Sequence, residues 1–165
     1  MPLFRRAAVP EAVKAVELGA GERRVAWALT PDGDAVVAST RALYLPDGST
    51  LAWDAIERAH WDKPVLRLIE LTEQEGTGAR HEVSLDLEHD TDLPETVRAR
   101  IGASVAWSSH VKLRPSGGVR IVGRRRAGME VLDWQLGFDR GTDGSDPAVR
   151  AQAEEHLAAA RRSIG

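Results

Sequence analysis

The sequence predicts an α+β fold: an antiparallel β-barrel or sandwich covered by one amphipathic helix, followed by a β-hairpin and a C-terminal helix. Three observations predict it. Short apolar runs, alternating or β-branched, recur between turn-forming clusters. A single helix-start signal, Asp92-Leu93-Pro94-Glu95, follows those runs. A second one, Asp146-Pro147, opens a stripe of Val149, Ala153, Leu157, Ala160 and Ile164 that closes the chain.

In chain order, Pro10 to Val16 reads as a short helix with proline at its first position. Val25, Trp27 and Leu29 share one face of a first strand, and Thr30 to Asp34 forms a hairpin turn. Val36 and Val37 favour a buried strand, continued by Leu43 to Leu45. Pro46-Asp47-Gly48-Ser49 turns because proline sets φ, aspartate bonds onward and glycine accepts positive φ. Leu51, Trp53 and Ala55 alternate as a strand, and Ile56, Ala59 and Trp61 resume the pattern after a kink. A turn at Asp62 to Pro64 leads to a strand through Leu71, with Arg67 and Glu70 pointing outward. A turn at Glu73 to Ala79 precedes the half-buried strand His81 to Leu87. The helix from Asp92 is expected to be capped by that aspartate, to carry Val97, Ile101 and Val105 on one face, and to end near His110 to Leu113. Gly102 within it implies close packing. Val119 to Phe138 then forms a hairpin with Arg124-Arg125-Arg126 at its tip.

The order of Thr40, Arg41 and Leu43, a turn, then Leu51, Trp53 and Ile56 resembles bacterial PH-like and GRAM-like domains. The likeness covers about residues 22 to 110 and extends to a group of actinobacterial proteins of similar length. Ala42 separates Arg41 from Leu43, and Ala52 stands where the family often has proline. The resemblance implies a PH-like barrel plugged by one helix, serving as a non-enzymatic protein-interaction or scaffolding module. It sets three regions: an N-terminal arm over 1–20, a PH-like domain over 21–113, and a hairpin plus helix over 114–165 packed on the same domain. Phosphoinositide-binding PH domains grip phosphates with a basic first hairpin; here that loop carries Asp32 and Asp34 and no base, which argues against that mode.

Composition sets further bounds. The 165 residues suit one domain with an added subdomain, and the absence of cysteine excludes disulfides and thiolate metal sites. A net charge of −3 argues against general nucleic-acid binding. No run approaches the roughly 18 apolar residues of a membrane span, so a cytoplasmic location is expected, with contact at the inner face of the membrane as its variant. No catalytic Ser/His/Asp arrangement, phosphate loop or cofactor motif is present, and an enzyme is not expected. His81, Asp86, His89 and Asp90 match no metal-ligand spacing. The five tryptophans are expected in the core.

Charge is the unusual feature. Nine acids and one base lie between Glu70 and Glu95; between Thr96 and Met129 there are eight bases and no acid. The blocks either complement each other or leave a basic surface. Arg120, Arg124, Arg125 and Arg126 are therefore candidate contacts for an anion or a partner. Leu3, Phe4, Arg5 and Arg6 are candidate membrane contacts. An unidentified protein partner, an anionic membrane surface and a second copy of the chain are the expected partner classes.

Overall fold

The computed structural model describes residues 8–70, 81–88, 91–126 and 129–164. Among them run ten strands in three antiparallel sheets, and three α-helices. The architecture is mixed α+β, and the sheets are separate units that do not close into one barrel.

The first sheet has the order β1-β2-β3-β4: Arg24–Leu29, Ala35–Ser39, Ala42–Tyr44 and Thr50–Ala52. Its turns follow the sequence signals. Leu45 accepts from Gly48, whose φ of +86° suits glycine, and the Asp47 carboxylate accepts from the Ser49 amide at 2.8 Å. The second sheet is β5 (Ile56–Asp62), β6 (Val65–Glu70) and β7 (His81–Asp86). The expected strand Leu51 to Ala55 is broken: Trp53–Ala55 forms a 3₁₀ turn. Trp53 is held there because its indole N–H donates to the Ser39 carbonyl at 3.0 Å, and the turn carries the chain from one sheet to the next. Glu70, expected to point outward, is half-buried and pairs with His81 across the sheet.

The first core lies between these two sheets. Ala28, Val36, Ala38, Leu43 and Leu51 meet Ile56, Leu66, Leu68 and Leu85, and helix α2 (Leu93–Ser104) closes it with Leu93, Val97 and Ile101. Each such leucine or isoleucine contributes roughly 1.5–3 kcal/mol on burial. The opposite face of the first sheet is covered as well. Helix α1 (Glu11–Lys14) buries Val13, and Val9, Val16 and Leu18 pack with it against Val37, Trp27, Leu29 and Tyr44. Trp27 and Leu29 thus share a face away from the main core, which the small Ala26 and Ala28 line instead, while a bulge between Arg24 and Ala26 takes Val25 out of the alternation and leaves it exposed.

Helix α2 corrects several expectations. The Asp92 side chain makes no capping bond; Thr91 Oγ1 accepts from the Leu93 amide at 3.1 Å. Gly102 is exposed, and a Cβ built there meets no atom within 4 Å, so close packing is not its reason. The helix stops at Ser104, and Val105–Lys112 forms strand β8. Val105, Trp107 and Val111 are strand formers with a strand neighbour, and Trp107 and Val111 also find an apolar cover, while Val105 stays exposed.

That neighbour is β9 (Gly118–Arg125), which pairs in turn with β10 (Leu132–Phe138), giving a third sheet of order β10-β9-β8. The predicted hairpin is therefore part of its own sheet and does not extend the first two. Helix α3 (Pro147–Ile164) starts on the Asp146 carboxylate, which accepts from the Ala148 amide at 2.8 Å. Ala153, Leu157 and Ala160 form a second core with Leu113, Val119 and Ile121, edged by Trp107, Val111, Trp134, Leu136 and Phe138. Trp107 and Trp134 flank Gly123, with ring centroids 5.6 Å apart. Ile164 stays exposed. Of the tryptophans, Trp53 is buried and the other four are half-buried against a core.

Candidate functional site: the polar face of the third sheet

Strand pairing sorts the third sheet into two faces. Trp107, Gly123 and Trp134 lie in one row, as do Val111, Val119 and Phe138; that face carries α3. The register puts Ser108, His110 and Lys112 of β8 on the other face. With them stand Gly118, Arg120, Val122 and Arg124 of β9, and Asp133, Gln135 and Gly137 of β10.

One end of this polar face is docked on the first core. Arg124 is only 3 % exposed; its Nη1 donates to Ser104 Oγ at 2.8 Å and its Nη2 to the Glu57 carbonyl at 3.2 Å. Gln135 Nε2 donates to the Asp54 carbonyl at 2.9 Å. Side chains of the third sheet thereby satisfy carbonyls at the corner where the chain leaves the first sheet for the second. Arg126 reaches the same corner, with Nε 3.3 Å from the buried Asp54 carboxylate and Nη2 2.8 Å from Asp133 Oδ2. The second of these is an ion pair off hydrogen-bond alignment, because Asp133 Oδ2 has no hydrogen-bond partner among the described residues. Arg124 Nε and Gln135 Oε1 are likewise buried without a hydrogen bond among the described residues.

Titration reflects that crowding. Asp133 is raised above the ordinary carboxyl range, chiefly by hydrogen bonding with the Asp54 carboxyl and then by burial, with the Arg126 charge opposing. Arg126 is raised by its bond to Asp54 and the charge of Asp133. Burial lowers Arg124 while Asp54 and Glu57 pull it back; a guanidinium stays charged throughout.

The other end of the face meets solvent. His110 and Arg120 are directly paired across β8 and β9, and Gly137 opposes Arg120 on β10. Arg120 and Lys112 make no ion pair among the described residues; Arg120 Nη1 reaches Ser108 Oγ at 3.4 Å. One carboxylate is at hand. Asp139 Oδ2 lies 2.7 Å from His110 Nε2, and both groups sit over Gly118, where a Cβ would overlap them. The His110–Asp139 pair covers the Gly118 end, while Lys112 and Arg120, with no acid partner among the described residues, and Gly137 leave a cationic surface beside it.

The arginines singled out by sequence therefore separate. Arg124 and Arg126 are turned into the junction, Arg125 is exposed on the opposite parity of β9, and Arg120 lies on the open polar face. The partners at the junction are Asp54, Glu57 and Asp133, which lie outside the acidic block from Glu70 to Glu95. Leu3, Phe4, Arg5 and Arg6 lie outside the described residues, as do His89 and Asp90. Among the described residues no group of three or more His, Asp or Glu is placed to hold a metal ion, and no helix is long and apolar enough to cross a membrane. Ser108, His110, Lys112, Asp54, Asp133 and Gln135 were not legible as one surface, because residues 105–112 read as the end of a helix. The alternation of Trp107, Ser109 and Val111 with Ser108, His110 and Lys112 is the signal that would have exposed it. No protein-family model, curated protein or solved structure matches the chain.

Proposed function

We propose that this chain is a non-enzymatic, PH-like interaction module that holds an acidic protein partner on the open polar face of its third sheet. Strands followed by one amphipathic helix across their end support the PH-like reading, in the order the sequence resemblance implies. The observation that carries the contact surface is the pair of exposed cations Lys112 and Arg120, without an ion pair among the described residues, on a face that Gly137 keeps low beside Arg120. A flat sheet with exposed cations recognises acidic side chains by complementarity and draws them in at a distance.

A second reading is a peripheral membrane adaptor. Met129 is 51 % exposed and Val131 73 %, and they follow the exposed Arg125 at the return between β9 and β10. Apolar groups beside a cation suit an anionic lipid surface.

One experiment separates the two. The full chain is titrated with a polyglutamate peptide and, in parallel, with vesicles rich in phosphatidylserine, each at low salt and at about 0.5 M salt, where screening is strong. The module reading expects peptide binding that weakens with salt and little vesicle binding. Vesicle binding without peptide binding transfers the function to the membrane.

A further inference from the structure

The third sheet ends in an open edge. In the order β10-β9-β8, strand β8 has one neighbour, and among the described residues no backbone or side-chain hydrogen bond from another element reaches Val105 to Lys112 on its outer side. The opposite edge differs: β10 is half-buried along its whole length and α3 packs on it. In β8 every second residue is exposed.

Edge strands of this kind are normally blunted by charged side chains, lysine above all, or by proline, bulges or inward charges. Here a bulge between Val105 and Trp107 occupies the start of β8 and Lys112 its end, while Trp107 to Val111 between them carries no lysine, proline or inward charge. The two sides of this stretch are chemically opposite. Trp107 and Val111, with Ser109 between them, lie on the face beside α3, whereas Ser108, His110 and Lys112 lie on the polar face with Arg120.

We infer that β8 accepts an extended partner segment as a fourth strand, and that the segment alternates apolar and acidic residues. Cross-strand neighbours interact in pairs. A strand laid beside β8 therefore places one set of side chains next to Trp107 and Val111, and the other next to Ser108, His110 and Lys112. The first set must be apolar and the second acidic, over about six residues, or roughly 20 Å of extended chain. Main-chain hydrogen bonds supply the pairing and the alternation supplies the selection. The inference rests on the acidic-partner reading above and specifies how that partner is held.

Its test is backbone hydrogen exchange of the full chain with three capped peptides: alternating valine and glutamate, alternating valine and lysine, and the first composition with its valines and glutamates in two blocks. The expected result is at least about tenfold slower exchange at Trp107 to Lys112 with the alternating acidic peptide alone. If that peptide binds but exchange in β8 is unchanged, strand addition is overturned while an acidic contact on the sheet face stands. If neither glutamate peptide binds, the contact surface is overturned with it. Equal protection by the blocked peptide overturns the alternation.

Discussion

Arg120 and Arg124 stand four residues apart on the same face of β9 and have opposite fates. Arg124 is buried, with Ser104 Oγ and the Glu57 carbonyl depending on it and Asp54 near it. Arg124→Ala removes both hydrogen bonds and the buried stem of the side chain, and we expect a loss of about 3 kcal/mol in chemical denaturation. Arg120→Ala removes an exposed group without an ion pair and should leave the denaturation midpoint unchanged. Asp133 supplies a pH test. Its folded pKa lies above the unfolded value, so the fold disfavours its charged form. Stability from this group is fully present below the unfolded pKa and is lost as pH rises through the raised folded pKa. Asp133→Asn should remove that pH dependence, so wild type gains stability on acidification relative to the variant. Thermal melts from pH 7.5 down to about 4 check the sign.

At the scale of elements, much of the layout was legible in the sequence. The turns at Thr30 to Asp34 and Pro46 to Ser49, the strands around Val36 and Leu66, and the helix start at Asp146 follow local chemistry that tertiary contacts do not override; the helix expected from Asp92 also begins there, but with Thr91 rather than Asp92 capping it. Two features were not legible. Leu51 to Ala55 alternates as a strand would, but the Trp53 indole bonds to Ser39 from a distant strand and bends the chain. Val97, Ile101 and Val105 are spaced for a helix, yet Val105 begins a strand because β9 and α3 bury the alternating Trp107 and Val111. Misplacing that boundary hid the polar face of the third sheet. Gly102 gives a direct check on α2. It is helical, exposed and free of contacts, so Gly102→Ala should stabilise the protein by about 0.5–1 kcal/mol, read from the denaturation midpoint.

At the scale of the molecule, the two larger of three apolar clusters meet through a polar junction. The first lies between the first two sheets under α2, the second between the third sheet and α3, and Arg124, Arg126 and Gln135 bridge them to Asp54 and Glu57. Polar interfaces couple their halves less firmly than apolar ones. Leu157→Ala should cost about 3 kcal/mol and should speed amide exchange in β8 to β10 and α3 before it does so in β1 to β7. A uniform change would instead show one cooperative unit. The junction also fixes which part of the polar face remains available: the Arg124 end is docked and the Arg120 end is open. The most direct measurement of this account is the affinity of the double variant Lys112→Glu, Arg120→Glu for the alternating valine–glutamate peptide, with thermal stability recorded alongside. The expected result is an unchanged melting temperature, at least about a tenfold loss of affinity, and a salt dependence that disappears. Undiminished, salt-sensitive binding by the folded variant would contradict it and place the acidic partner elsewhere on the molecule.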